Sequence, residues 1–160
     1  MKSSIRILFV VNAPEFFLSH RLPIAQAAKA EGYDVYVASA FGTQICEIEG
    51  QGFTHHVVPF ARSGQNPLRS LKPDVVHLVT IKPVVYGGIA ARFAGVNAVV
   101  SAVSGLGTVF LASSIAAKAR RWLVKRLYAA AFKQKRFAVI FQNPDDRDTL
   151  QSLVALELAD

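Results

Sequence analysis

The chain has 160 residues, 52% of them apolar, and 18 Lys and Arg against 11 Asp and Glu give a formal charge of +7. That length can bury a full core but is short for two domains, and no run nears the roughly 18 apolar residues of a membrane span. The apolar run in "MKSSIRILFVV" is too short for a signal peptide and the lone Cys46 excludes a disulfide framework, so a cytoplasmic location is the default expectation.

Short runs rich in Val and Ile predict strands at 5–11, 34–39, 54–59, 74–79, 97–102 and 137–142. Several are apolar on both faces, as strands of a covered parallel sheet must be. Helical patterns lie between them in "LPIAQAAKAEG", "TQICEIEG", "PVVYGGIAARFAG" and "SSIAAKARRWLVKRLYAAAFKQ". Gly32, Gly50 and Gly95 end three of these as left-handed stops. A last helix is expected from Asn143-Pro144, with acids in its first turn. The alternation defines an α/β fold: a Rossmann-like, doubly wound parallel sheet in three α/β/α layers. One connection is short for a parallel crossover, "ARSGQNPLRSLKP", where Gly64, Pro67 and Pro73 leave little room for a helix. Either its helix is reduced to a turn or residues are missing between Arg69 and Pro73. A three-turn helix inside 60–73 would contradict both.

Open sheets of this kind bind ligands beyond the carboxyl ends of their strands. The loops in question are "NAPEFFLSHRLP", "TIKP", "VSGLGTVF" and "QNPDD". The first has no GxGxxG, and GxxxxGK[ST] is absent from the whole chain. Ser19 is expected as the N-cap of a helix carrying Pro23 near its start. His20 and Arg21 would then sit on a first turn that favours an anion, adding charge-assisted hydrogen bonds to phosphate or sugar hydroxyls. Lys82 can reach a phosphate as a point charge, and in "SGLG" Gly105 and Gly107 let a ligand approach the backbone beside Ser104. Asn12, Thr80 and Asn143 complete the candidate substrate-binding set from these loops. Against it stands the plainer reading of ordinary surface residues and turning glycines. His77, inside its strand, reads first as a core or supporting residue. His55 and His56 point to opposite faces of one strand, and no grouping has zinc spacing.

The charge is uneven, with no acidic residue between Asp74 and Asp145. Ile115, Ala119, Trp122, Leu123, Leu127, Ala130 and Ala131 predict one apolar helix face. Lys118, Arg121 and Lys125 line another side, continued by Tyr128 and Phe132. Basic residues beside aromatic ones suit an anionic membrane surface, so Lys118, Arg121, Trp122 and Lys125 are the candidates for it. A solvated outer face is the alternative, and nucleic acid has only the charge behind it.

"ILFVVNAPEFFLSHRLPIAQAAKAEGYDVYVA", "RSGQNPL", "KPDVVHLVTIKPVVYGGIAAR", "SAVSGLGTVF" and "VIFQNPDDRD" together resemble the N-terminal half of bacterial family-four glycosyltransferases. These are retaining, two-domain GT-B enzymes of lipopolysaccharide, O-antigen and capsule assembly. The resemblance implies that residues 1–160 are an acceptor-side Rossmann-like domain, one half of a GT-B fold, and that the C-terminal donor-binding domain with its pair of glutamates is absent from this chain. It implies a nucleotide-sugar co-substrate without metal or cofactor, a lipid-linked saccharide acceptor, no nucleic acid, and a peripheral position at the inner face of the cytoplasmic membrane. The fragment alone should be inactive. Two departures stand out: the shortened 60–73 connection, and no histidine in the "VSGLG" loop, so no catalytic residue is assigned. The alternative is a stand-alone binding module for an anionic lipid-linked precursor, or a docking subunit of a split enzyme.

Overall fold

The computed structural model describes residues 4–58, 67–103 and 115–153, without the side chains of 115–121 and 153. Six strands form one parallel sheet: β1 (Arg6–Val10), β2 (Asp34–Ser39), β3 (Thr54–Val57), β4 (Val75–Val79), β5 (Ala98–Val103) and β6 (Phe137–Phe141). Their order is β3-β2-β1-β4-β5-β6, all neighbours parallel. Each matches its predicted run to within two residues, and in the central strands β1, β2, β4 and β5 the reason is that both-face-apolar Val and Ile runs have few other ways to be buried.

Eight described helical segments connect the strands. They are α1 (Pro14–His20), α2 (Leu22–Ala30), α3 (Ile45–Gly50), α4 (Pro67–Leu71), a π-helical turn at Pro83–Gly87 running into α5 (Gly88–Ala94), α6 (Ile115–Ala131) and α7 (Pro144–Leu153). One sheet face packs Phe9, Val11, Val35 and Val37 against Phe17 of α1, Ala25 of α2 and Ile48 of α3. The other packs Leu8, Val10, Val76 and Leu78 against Leu68 of α4, Val84, Ala91 of α5, Tyr128 of α6 and Leu150 of α7. Burying a side chain such as Phe17 contributes on the order of 1.5–3 kcal/mol. Phe9 and Phe53 meet its ring edge-on, at 5.8 and 5.6 Å.

Two expectations are corrected. Ser19 does not cap a helix. Pro14 opens α1 three residues after β1's last paired residue, Val11 N–H having bonded Ala38 O, and a proline at that position is already set for helix. Ser19 lies inside α1 and its hydroxyl donates to Glu15 O at 2.6 Å. The helix breaks at Arg21 (φ −123°, ψ −14°), because Pro23 has no N–H to return to the Ser19 carbonyl and its ring clashes there. His20 and Arg21 therefore end one helix instead of sitting on the first turn of another.

The second correction concerns α6. Trp122 and Leu123 are exposed, while Tyr128, Ala131 and Phe132 are buried, with Val124 and Leu127 packed against them. The buried face follows 124, 127, 128 and 131, the i, i+3, i+4, i+7 pattern. Tyr128 and Phe132 thus belong to the core and not to the basic side.

The short crossover ends in α4, five residues long, so its described part holds little more than one helical turn; residues 59–66 lie outside the described residues.

Candidate functional site

In this sheet the chain turns from β1 outward to β2 and β3, then crosses to β4 and proceeds the other way through β5 and β6. The reversal lies between β1 and β4, and in open sheets of this kind ligands bind beyond the carboxyl ends at such a point. Val10 is paired with Leu78, so Asn12 and Thr80, two residues further along each strand, stand level with each other on that edge. The Asn12 carbonyl accepts the Ala40 N–H at 3.3 Å, and the Thr80 N–H donates to Ala102 O at 3.2 Å.

Thr80 is the most unusual residue of this edge. Its φ is +72°, a left-handed conformation that costs a β-branched residue on the order of 1–3 kcal/mol. Its hydroxyl oxygen is buried and has no hydrogen-bond partner among the described residues. The helix that follows begins with Ile81 and exposed Lys82 and passes at once into the π-helical turn Pro83–Gly87. Both strained backbone and π-helical turns occur preferentially at functional sites. Neither was legible in "TIKP", where no glycine marks the positive φ.

Arg21 stands half-buried at the break between α1 and α2. Its charge is felt by His77, in the middle of β4. His77 is only 6% exposed, its ring centroid 5.0 Å from that of Phe9. Burial above all, and the Arg21 charge second, push its pKa from 6.5 down to about 4, so the ring is neutral. Among the described residues its Nε2 has no partner, and neither has the buried Nε of Arg21. Burial lowers the Arg21 pKa as well, though a guanidinium stays charged at any ordinary pH. Residue alternation alone could have placed His77 on the face of Phe9 and α1.

The remaining candidates separate. His20 and Ser19 are exposed and share a 2.6 Å contact between Nδ1 and the hydroxyl, with the Phe16 ring 6.2 Å from the imidazole. Asn143 caps α7: its Oδ1 accepts the Asp146 N–H at 2.7 Å and its Nδ2 donates to Asp146 Oδ2 at 3.1 Å. Ser104, Gly105 and Gly107 lie outside the described residues. On α6, exposed Trp122 and Lys125 stand near Arg126, whose guanidinium carbon is 5.4 Å from the Trp122 ring centre. The side chains of Lys118 and Arg121 are outside the described set.

Among the described residues no group of three or more His, Cys, Asp or Glu is placed to hold a metal. No described helix is long and apolar enough to cross a membrane. His55 Nε2 and the Ser39 hydroxyl are 2.9 Å apart, while adjacent His56 lies by Tyr36, its ring centroid 6.2 Å away.

The fold is a Rossmann-like α/β domain whose first loop has no phosphate-binding glycines. The chain matches the family described as Glycosyl transferase 4-like over residues 6–143, and it belongs to that family. It is 25% identical over 163 aligned residues to the N,N'-diacetylbacillosaminyl-diphospho-undecaprenol alpha-1,3-N-acetylgalactosaminyltransferase of Campylobacter jejuni. That alignment takes in 92% of this chain and 43% of the relative, so the chain spans less than half of the relative's length. Among solved structures, the TrkA-N domain of the Escherichia coli inner membrane protein ybaL superposes with a TM-score of 0.55 at 13% identity, covering 96% of this chain and 98% of that one. Glycyrrhiza uralensis UGT73P12, solved with glycyrrhetinic acid 3-O-monoglucuronide, also gives 0.55, at 10% identity, over 98% of this chain and 48% of its own. At those identities the two likenesses speak for the fold alone.

Proposed function

We propose that the chain is the acceptor-side domain of a nucleotide-sugar-dependent glycosyltransferase of cell-surface polysaccharide or lipopolysaccharide biosynthesis. The observation that carries this reading is the family match across nearly the whole chain. The Campylobacter relative, named for a diphospho-undecaprenol substrate, favours a lipid-linked saccharide as acceptor. The full protein would add a C-terminal donor-binding domain, with the nucleotide-sugar as co-substrate and no metal required. In the transfer, the acceptor hydroxyl oxygen bonds to the donor's anomeric carbon while the bond from that carbon to the nucleoside diphosphate breaks, and the hydroxyl proton leaves to the departing diphosphate or to water.

In this reading Asn12, Thr80, Lys82 and Arg21 serve the acceptor. A diphosphate offers a dense set of acceptor oxygens, matched by a guanidinium fork, an ammonium and an unpaired hydroxyl. Ser104, Gly105 and Gly107 would close the same edge from the loop after β5. His20 and Ser19, on the exposed side of α1, would line its rim, and Asn143 would contribute through the α7 N-terminus that it caps. The protein would sit peripherally at the inner face of the cytoplasmic membrane. Exposed Trp122 and Leu123 beside Lys125 and Arg126 support that placement, since an aromatic ring flanked by cations suits an anionic headgroup layer, and Lys118 and Arg121 would extend the same surface.

The test is transfer by the full-length gene product, with UDP-activated hexoses and N-acetylhexosamines as donors and a polyprenyl-diphosphate-linked monosaccharide as acceptor. Acceptor-dependent release of nucleoside diphosphate is expected with at least one donor. Release no faster than in the absence of acceptor, across the whole panel, would refute the assignment.

A further inference from the structure

Phe41 is the most exposed large apolar side chain among the described residues, at 82%, yet the backbone on either side of it is held. Ala40 follows the last residue of β2 and is bonded through both its N–H and its carbonyl. The N–H donates to Asn12 O at 3.3 Å, and the carbonyl accepts the Ser39 hydroxyl at 2.8 Å. With its one proton committed there, that hydroxyl accepts from His55 Nε2–H, 2.9 Å away on β3. Ser39 is fully buried, so water does not compete for these bonds. On the other side a Cβ at Gly42 would stand 2.9 Å from the Pro14 ring, so the loop backbone rests directly against the start of α1. The root of the exposed ring has therefore lost its freedom before any ligand arrives, which lowers the cost of binding one.

Val10 is paired with Ala38, so Phe41 lies one residue beyond the level of Asn12, on the β2 flank of the carboxyl edge. Thr80 stands on the β4 flank, two strand spacings or roughly 10 Å across. A glycosyl diphosphate has two unlike ends, and so has this edge. Lys82 and the unpaired Thr80 hydroxyl lie on one side, and Phe41 with Thr43 and Gln44 on the other. Charge separates a sugar from a lipid headgroup as the occupant. Between residues 38 and 52 the sequence has Glu47 and Glu49 and no Lys or Arg, the reverse of Trp122 with Arg126 beside it on α6. Such a loop does not attract an anionic bilayer, whereas the C–H face of a pyranose suits an aromatic face with neutral polar groups around it. We propose that Phe41 is a specificity-determining contact, its ring stacking on the saccharide that the acceptor's diphosphate carries, with Ser39, His55 and Gly42 positioning it. This rests on the reading of the carboxyl edge as the acceptor site.

The experiment compares two kinds of probe on the full-length protein, farnesyl diphosphate alone and the same carrier bearing glucose, galactose, N-acetylglucosamine or N-acetylgalactosamine. Wild type should bind at least one sugar-bearing probe more tightly than the bare one. Phe41→Ala should weaken that binding by roughly three- to tenfold, the worth of an aromatic contact, and leave the bare probe unchanged. Phe41→Trp should keep the preference and Phe41→Leu, apolar but without a ring face, should not. His55→Phe should lose part of the preference with bare-probe binding intact, and His55→Gln, whose amide still donates, should restore it. A wild type without preference, an equal loss on both probes in Phe41→Ala, or recovery by leucine as complete as by tryptophan overturns the stacking. Co-sedimentation with phosphatidylglycerol vesicles should be the same for wild type and Phe41→Ala, and a loss there makes the ring a membrane contact instead. The proposal and the transferase reading fail apart. If Phe41→Ala abolishes the sugar preference but no acceptor-dependent nucleoside diphosphate release occurs, the saccharide contact stands and the transferase falls. If release occurs with an unchanged acceptor KM in Phe41→Ala, the transferase stands and the contact falls.

Discussion

Lowering the pH should destabilise this protein through His77, and the size of the effect follows from the structure. The ring is 6% exposed and its pKa is about 4 in the folded chain against 6.5 in the unfolded one. Between those values the unfolded chain holds a proton that the folded chain refuses, so stability falls as the pH falls. The contribution is whole above about pH 6.5 and is lost progressively down to about 4. At about 1.4 kcal/mol per pH unit the fall amounts to roughly 3 kcal/mol, a large share of the 5–15 kcal/mol typical of a domain. His55 is also lowered, first by its own burial and then by His56, against an opposing pull from Glu49, so the wild-type curve alone does not isolate one ring. The comparison that does is urea unfolding of wild type and His77→Phe at pH 7.5 and pH 4. The two should differ in their acid sensitivity by about 3 kcal/mol, the phenylalanine variant losing less. Parallel losses in the two proteins, to within about 1 kcal/mol, would refute the buried neutral histidine.

Three further outcomes follow from single positions. Thr80→Gly should raise stability by about 1 kcal/mol, since glycine takes the +72° φ without strain at some cost in unfolded-state entropy, yet weaken acceptor binding by deleting the unpaired hydroxyl; thermal melts and acceptor KM read the two separately, and a destabilised variant would show the strain to be misjudged. Gly88→Ala should cost about 1–3 kcal/mol, because the added Cβ would stand 2.9 Å from Ala131 Cβ and 3.1 Å from the Ala131 carbonyl oxygen; an unchanged melting temperature would mean that α5 and α6 part easily. Lys125→Glu with Trp122→Ala should reduce co-sedimentation with vesicles containing phosphatidylglycerol by at least about tenfold, given about 1 kcal/mol per basic residue near such a surface, and equal sedimentation would detach the α6 surface from the membrane.

The sheet was legible because its information is redundant. A run such as "DVVHLV" states its strand four times over in apolar, mostly β-branched residues, and one polar residue among them does not change the answer. The helices carry less. In "NAPEFFLSHRLP" two residues compete to begin a helix, Pro14 and Ser19, and both choices are locally sound. What decides is tertiary: only a helix from Pro14 brings Phe17 beneath Phe9 and Phe53. The buried face of α6 was misjudged for a related reason. Tyr128 reads as amphipathic beside basic residues, yet here it is fully buried, and burial first, then Asp146, pushes its hydroxyl pKa upward. The site was least legible where it depends on backbone. A positive φ at Thr80 contradicts the preference of its residue type, so propensity argues against it.

That contradiction also separates the two ends of β4. A cavity of about 460 Å³ lies at the amino ends of β4 and β5, lined by Arg69, Lys72, Asp74, Phe93 and Asn97 among others. It has cations, an exposed ring and, at Lys72, a second non-glycine residue with positive φ, +46°. Each of these has a structural account. Lys72 follows the last residue of α4, where a left-handed stop is ordinary, and the turn presents the Leu71 carbonyl to Arg6 Nη1 at 2.6 Å. Asp74 is committed to the Arg6 N–H at 2.9 Å. At the other end of β4, Thr80 closes no helix, its hydroxyl meets no partner, and the chain enters its next helix through a π-helical turn. Strain that a helix end explains needs no ligand. Strain at a strand's carboxyl end, beside an unpaired hydroxyl and at the point where the sheet reverses its order, is accounted for by the acceptor that this edge is proposed to bind.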